Sequence, residues 1–145
     1  MDASSSNDRV AIWLYILSNH VFSITAYSPD DVWSANLFYA ADYLNDCVYV
    51  MTSTRTRHGE IMIKQPQVSG TICLPTENIA ELKGIQFNGV AQLLSEAEYA
   101  SAFETYQQRF PVAKKMQETL WKISFKILKY TDNSRGFGTK LIWQQ

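Results

Sequence analysis

The stretch "TSTRTRH" at residues 52–58 combines hydroxyl groups, two arginines and a histidine at a spacing that could hold a phosphate. It follows a run of strand formers, "VYVM", and precedes "GEIMIK", a short helical run stopped by Pro66. If Thr56 caps that helix and Arg57 opens it, the free N–H groups of the first turn, the hydroxyls and a guanidinium group converge on one small volume. The planar fork of arginine can bind two oxygens of one phosphate. The stretch therefore predicts a phosphate site.

A second interpretation of the same stretch is a solvated turn that serves only solubility. Threonine and arginine are common at protein surfaces, and the sequence has no glycine-rich phosphate loop of the Walker type. His58 would add a hydrogen-bond donor whose charge depends on pH. The residues alone leave both interpretations open.

The other titratable side chains form no catalytic pattern. His20 lies between a predicted helix and a strand, without a second histidine or carboxylate at ligand spacing, which favours a structural hydrogen bond. Asp30, Asp31 and Asp132 lie in turns, where carboxylates cap backbone N–H groups. No serine, histidine and aspartate set can be recognised, because such triads are defined by geometry rather than spacing.

Composition and charge narrow the function classes. The chain has 145 residues, 46% of them hydrophobic and 19% charged, and a net charge of -1, so no overall field attracts nucleic acid or anionic membrane. The aromatic share of 13% is high, which suits both strands and flat ligands. Cys47 and Cys73 stand outside any CxxC pair and among strand formers, so we expect buried, reduced thiols and no metal site.

The N-terminal segment, "MDASSSNDR", lacks the basic start of a secretory signal, and the apolar run "VAIWLYIL" is too short to span a bilayer. We therefore expect a cytoplasmic protein without membrane association. Residues 1–8 are predicted to be a disordered leader, and residues 9–145 to be one domain.

The elements that position the phosphate stretch follow from the hydrophobic period. A first helix is predicted to be capped by Asn7 or Asp8 and to end near Asn19. Its apolar face comprises Val10, Trp13, Leu14 and Leu17. Strands are predicted at residues 21–27, 31–40, 47–52, 68–74, 83–94, 121–127 and 139–143. The first two form a hairpin around Pro29 and Asp30.

Two further patterns indicate local structure. In the strand at 83–94 one face carries Ile85, Phe87, Ala91 and Leu93, and Gly89 marks a bulge. Ser95 and Glu98 form a capping box. The helix that it opens carries an aromatic residue at each of Tyr99, Phe103, Tyr106 and Phe110. Strands dominate and the helices are too few for a parallel sheet, so a small, mainly β antiparallel barrel with flanking helices is predicted.

The order of these segments, from about Val10 to Trp143, resembles the FMN-binding split barrels related to pyridoxamine 5'-phosphate oxidase. It looks closest to a small YhbP-like branch, in which several short motifs recur in the same order. Those motifs stand here as "TRH" (56–58), "RFPVA" (109–113), "TDN" (131–133), "GFG" (136–138) and "IW" (142–143). The resemblance implies a six-stranded antiparallel barrel of Greek-key type. It also implies FMN as the cofactor and a homodimer with flavin at the subunit interface.

The resemblance further implies which residues bind the cofactor. Thr52 and Ser53 match the pair at the end of a strand that contacts the flavin. Thr56, Arg57 and His58 match the Ser-Arg-Lys phosphate clamp. His58 replaces the lysine of that clamp, which exchanges a permanent charge for a titrating one.

Asn36 and Leu37 fall on the strand whose backbone, in that superfamily, lies along the flavin ring. Gly84 stands where the oxidase commonly has a glutamine that contacts flavin. The segment "GFGTKLIWQQ" has no counterpart of the oxidase's substrate-binding arginine and histidine, so the resemblance does not extend to pyridoxamine phosphate oxidation.

These features support three hypotheses. The first is an FMN-dependent oxidoreductase that transfers hydride or electrons between a reduced nicotinamide or organic donor and a small-molecule acceptor, with no catalytic residue assigned. The second is a non-catalytic module that carries or senses flavin or haem. The third, a barrel that binds single-stranded nucleic acid, is disfavoured by the net charge of -1.

Overall fold

The computed structural model describes residues 6–145. The strands are β1 (Val21–Ser28), β2 (Asp31–Asp42), β3 (Cys47–Met51), β4 (Gln67–Cys73), β5 (Lys83–Leu93), β6 (Leu120–Asp132) and β7 (Lys140–Gln144). The α-helices are α1 (Ser6–Leu17), α2 (Arg57–Lys64), α3 (Glu96–Arg109) and α4 (Ala113–Met116).

Strands β1 to β6 close into an antiparallel ring. Neighbouring strands follow the order β3-β2-β1-β4-β5-β6, and β6 pairs back with β3. Strand β4 lies beside β1 rather than beside β3, which is the Greek-key arrangement. The predicted barrel with flanking helices is thus confirmed. A seventh strand, β7, lies outside the ring and pairs with β6 over Ile127–Thr131.

The ring encloses an apolar core because alternate residues of each strand point inward. Its largest buried side chains include Trp13, Phe22, Tyr39, Trp121 and Phe125. Helix α2 adds Ile61 and Met62 to the same core. Burial of each such side chain contributes about 1.5 to 3 kcal/mol, so these two residues fix the helix against the ring. The start of α2 is thereby held in one place.

Helix α1 buries a different face from the predicted one. Ile12, Trp13 and Ile16 are buried, whereas Val10, Leu14 and Leu17 are 45%, 62% and 50% exposed. Trp13 makes edge contacts with the rings of Tyr43 and Phe125. Apolar residues surround this short helix on most sides, so tertiary packing and not the sequence period selects the buried face.

The bounds of α1 also differ from the prediction. The helix begins at Ser6, so Asn7 and Asp8 lie in its first turn rather than at its cap, and it ends at Leu17. The predicted leader covers residues 1–8, of which residues 1–5 lie outside the described part of the chain and residues 6–8 are helical.

Three other local predictions are confirmed. Strands β1 and β2 form a hairpin in which Ser28 pairs with Asp31. The register of β5 on β6 shifts between Asn88 and Gly89, as expected for a bulge. Ser95 caps α3 by accepting from the Glu98 N–H, and its hydroxyl lies 3.0 Å from the Glu98 carboxylate.

The two cysteines differ in environment. Cys47 is buried, and burial raises the pKa of its thiol to about 11. Cys73 is exposed, contrary to the prediction, because it is the last residue of β4 and lies on the outer face of the ring. No helix within residues 6–145 is long and apolar enough to cross a membrane.

Candidate cofactor site at the open edge of β2

The segment that follows β3 forms a capped helix start, as predicted. Thr56 is the N-cap of α2, and its hydroxyl oxygen accepts a hydrogen bond from the Gly59 N–H at 3.0 Å. The same hydroxyl donates to the Ser53 carbonyl oxygen at 2.9 Å. Ser53 in turn accepts from the Arg55 N–H at 3.0 Å. These bonds fix the segment between β3 and α2 in one conformation.

Strand β2 has an open edge next to this segment. It pairs with β1 along Asp31–Phe38, but β3, which pairs with β6 along its other edge, covers only Tyr39–Asp42. Within residues 6–145, no strand pairs with the other edge of residues 31–38. Such an edge leaves a row of backbone N–H and C=O groups free to bind another molecule. The barrel is therefore split at this point.

Arg57 connects the start of α2 to the hairpin at the end of that edge. Its Nε donates to Asp31 Oδ2 at 2.9 Å and its Nη2 donates to Asp31 Oδ1 at 2.7 Å. The guanidinium carbon lies 3.8 Å from the centre of the Trp33 ring, a cation–π geometry. The hydrogen bonds raise the pKa of Arg57 and lower the pKa of Asp31.

Thr52 and His58, which were predicted to contact the cofactor, pair with each other in the interior. Both are buried, and Thr52 Oγ1 lies 2.8 Å from His58 Nε2. The Thr52 carbonyl accepts from Trp121 Nε1 at 3.0 Å. Burial lowers the pKa of His58, so the imidazole is neutral at neutral pH. The position that a lysine fills in the split-barrel clamp therefore carries no charge here.

Arg55 is the cation that remains available at this helix start. Its side chain is exposed, and it forms no ion pair with any other part of residues 6–145. Arg57 is also half exposed, but Asp31 already holds it. An approaching anion would meet the first N–H groups of α2, which have no acceptor within the helix, and these two guanidinium groups.

Asn36 and Leu37 lie on opposite faces of β2 because neighbouring residues of a strand alternate. Leu37 packs against the core. Asn36 faces outward opposite Ser23 of β1, in a cavity of about 360 Å³ that it shares with His20 and Cys73. The structure therefore does not bring the Asn36 side chain together with Arg57. Only the backbone of β2 is common to both places.

Sequence reasoning missed two residues of this site, Asp31 and Trp33. Asp31 was interpreted as a turn residue, which it also is, and it meets Arg57 across 26 residues of sequence. In the sequence, Trp33 is one residue of an alternating strand, and nothing there marks it as part of a site. The exposure of Trp33, at 43%, is the signal of its role, and exposure is visible only in the structure.

Comparison with known proteins supports the fold. No protein-family model matches the chain. A haem-binding protein from Mycobacterium smegmatis superimposes with a TM-score of 0.77 at 16% identity, over 99% of this chain and 59% of that one. A FAD-binding protein from Mesorhizobium loti superimposes with a TM-score of 0.69 at 12% identity, over 87% and 93%. At these identities the likeness is one of fold alone.

Sequence comparison finds a relative with a higher identity than these two structures. The UPF0306 protein of Serratia proteamaculans is 38% identical over 140 residues, which cover 97% of this chain and 97% of that protein. A relationship of this extent includes the segment 52–58, the open edge of β2 and every strand of the ring. The chain therefore belongs to the UPF0306 family.

Proposed function

We propose that this protein binds FMN, with the phosphate at the start of α2 and the flat ring along the open edge of β2. The observation that carries the proposal is that Arg57 and the capped helix start lie at one end of an unpaired strand edge, with the exposed Arg55 two residues before Arg57. Of the proteins with this fold, one is a FAD-binding protein, which shows that the architecture accommodates a flavin in that case.

Most of the residues present fit a phosphate. Two guanidinium groups and the free N–H groups at the start of α2, which Thr56 caps, form a donor set suited to a doubly charged phosphate. His58 does not fit, because it is buried, neutral and bonded to Thr52. Arg55 supplies a permanent charge in the same segment and can replace the missing lysine.

A second copy of the chain would complete the ring site. Val32, Trp33 and Phe38 on β2 are 59%, 43% and 55% exposed. Together with the unpaired backbone they form an unusually apolar and open strand for a free surface. We propose that a homodimer covers this strand and that the cofactor lies between the two copies.

We propose an oxidoreductase role for the loaded protein. Bound FMN supplies hydride and electron transfer, and the protein contributes binding, orientation and a dry environment. In this chain Arg55 and Arg57 bind the anionic end of the cofactor. The buried side chains of α2, Ile61 and Met62, hold its first turn in place. The backbone of β2 positions the flavin ring. No side chain here is assigned to the reacting atoms.

A non-catalytic haem module is the second candidate. A protein of this fold binds haem, and His20 is an exposed imidazole that stacks on Phe38 with a centroid distance of 6.1 Å. His20 is the histidine that an iron could reach, since His58 is buried. Titration with haemin separates the two candidates, because haem ligation by His20 gives a Soret shift that His20→Ala abolishes.

The test of the FMN proposal is a titration followed by quenching of flavin fluorescence. Arg57→Ala should weaken FMN binding by roughly 10- to 100-fold, which corresponds to one charge-assisted hydrogen-bonding group. Binding of riboflavin, which lacks the phosphate, should not change. Lys64→Ala, at the opposite end of α2, is the matched control. Equal FMN affinity in the wild type and Arg57→Ala would contradict the proposal.

A further inference from the structure

Asp31 occupies the edge of Arg57 that a phosphate would use. The two hydrogen bonds involve Nε and Nη2, which together form one side of the guanidinium fork. A carboxylate and a phosphate present two oxygens to this fork in the same geometry. Asp31 and Trp33 belong to the same strand and point to the same side of it. Asp31 therefore binds the edge of the guanidinium group, and the Trp33 ring covers its face.

The pairing removes local charge from the site. With Asp31 bound, Arg57 contributes no net positive charge at the start of α2, and Arg55 is the only unpaired arginine in the segment 52–58. A doubly anionic phosphate that approached this arrangement would also meet the Asp31 carboxylate. Like charges at close range oppose each other, so phosphate and Asp31 do not share the same edge of Arg57 at low cost.

The ion pair is of a kind that exchanges easily. The side chains of Arg57 and Asp31 are 51% and 29% exposed, so solvent and salt screen the attraction between the two charges. Asp31 lies in the β1–β2 hairpin, where Ser28 and Asp31 are the last paired residues. Release of Arg57 therefore breaks a weak contact at a chain turn and leaves the core unchanged.

We propose that Asp31 is an internal competitor for Arg57, so that binding of a phosphorylated ligand exchanges the Asp31 carboxylate for the ligand's phosphate. This inference rests on the proposed FMN site and adds a control on it. Ligands without a phosphate leave the pair intact, so the exchange also makes the hairpin respond to one chemical class of ligand, the phosphate monoesters.

The alternative geometry makes Asp31 an anchor rather than a competitor. In that case Asp31 keeps Nε and Nη2, and the phosphate binds the remaining Nη1. Removal of Asp31 would then release the guanidinium and weaken the binding of phosphate. The two geometries thus predict opposite signs for one substitution.

The experiment compares wild type, Asp31→Asn and Asp30→Asn in titrations with FMN and with riboflavin, followed by flavin fluorescence. Asparagine keeps the shape of the side chain, and Asp30 is the neighbouring turn carboxylate that serves as control. We expect Asp31→Asn to tighten FMN binding about fivefold, the equivalent of a weak exposed ion pair. Binding of riboflavin should not change, and Asp30→Asn should behave like the wild type. In Arg57→Ala the Asp31→Asn substitution should have no further effect.

Weaker or unchanged FMN binding in Asp31→Asn would overturn the competitor role while the FMN site remained supported by binding to the wild type. Failure of FMN to bind wild type and Asp31→Asn alike would overturn both proposals. Binding of FMN to Asp31→Asn alone would support the competitor role in its strongest form. Thermal unfolding of the variant, compared with the wild type, confirms that the fold is intact.

Discussion

Thr52 and His58 show how two residues predicted to contact a cofactor can serve the interior instead. The hydroxyl and the imidazole are each other's hydrogen-bond partner at 2.8 Å, and both are buried. The neutral imidazole satisfies a buried hydroxyl that would otherwise have no partner on its side chain. At this position the histidine stabilises the junction between β3 and α2, and the charge of the site depends on its arginines.

The buried His58 makes the free energy of unfolding depend on pH. Its pKa is lower in the folded state than the ordinary value of about 6.5, so the unfolded chain binds a proton first as pH falls. The stabilisation is complete above that value and is lost as pH decreases toward the folded-state pKa. We expect urea unfolding between pH 7.5 and 5.5 to show this loss.

The other histidine provides the control for this prediction. His58→Gln should remove the pH dependence within that window, whereas His20→Gln, at an exposed position, should retain it. If His58→Gln keeps the full pH dependence of the wild type, the buried imidazole is not its source.

At the residue scale, the sequence predicts local features such as helix caps, but not contacts between segments that are distant in the sequence. Thr56 and Arg57 could be placed at the helix start because caps and helix openings depend on neighbouring residues. The partners of Arg57, Asp31 and Trp33, could not be predicted, because they lie in a distant hairpin. Asp31 is 26 residues before Arg57 in the sequence. The burial of His58 likewise depends on the packing of distant segments of the chain.

At the scale of elements, the short helix α2 is the part that links the core to the candidate site. Its apolar side chains Ile61 and Met62 are buried, while its first turn faces the hairpin through Arg57. A helix of eight residues has little stability of its own, so it depends on this packing and on its cap. Changes to the cap therefore act on stability and on the site together.

Thr56→Ala removes the cap and should destabilise the protein by about 1 kcal/mol, as is typical for an N-cap threonine. The same change should weaken FMN binding, because the first turn of α2 loses its fixed orientation. Thr54→Ala, two residues earlier in the same segment, is the matched control. Urea unfolding measures the stability, and an equal effect of the two substitutions would show that the cap is not responsible.

Prediction at the element scale was good where the pattern was strong and poor where it was ambiguous. The alternating strands, the capping box at Ser95 and the bulge at Gly89 follow from local chemistry. The buried face of α1 does not, because a helix with Val10 and Leu14 exposed but Ile12 and Ile16 buried has apolar residues on several sides. Its contacts with the ring decide which side is inside.

At the scale of the whole molecule, the ring closes everywhere except along residues 31–38 of β2. Strand β3 pairs with β2 from Cys47 to Val50 and ends at Met51, so it is too short to reach residues 31–38 of β2, and the split follows from that end. The sequence predicted a barrel from its strand content. It could not show where the barrel opens, because the pairing of β3 with β6 is a long-range choice.

The proposed dimer gives a prediction at this scale. Light scattering should report a mass of ~33 kDa, twice that of the 16.6 kDa chain, as expected for a twofold homo-oligomer. Val32→Lys places a charge on the open strand and should shift the protein toward the monomer. Leu44→Lys, at an 86% exposed position outside β2, should not. A monomer at all concentrations, for the wild type, would contradict the proposal.

The pairing of β3 with β6 also has a consequence for the order of folding. It joins Cys47–Met51 to Leu120–Ser124, segments roughly 70 residues apart, whereas the β1–β2 and β5–β6 contacts involve shorter loops or longer ladders. The entropy lost on closing such a large loop delays this step until the rest of the sheet is in place. Folding should therefore finish with the pairing of β3 and β6, and the amide hydrogens that join these two strands should be among the last in the sheet to gain protection during refolding.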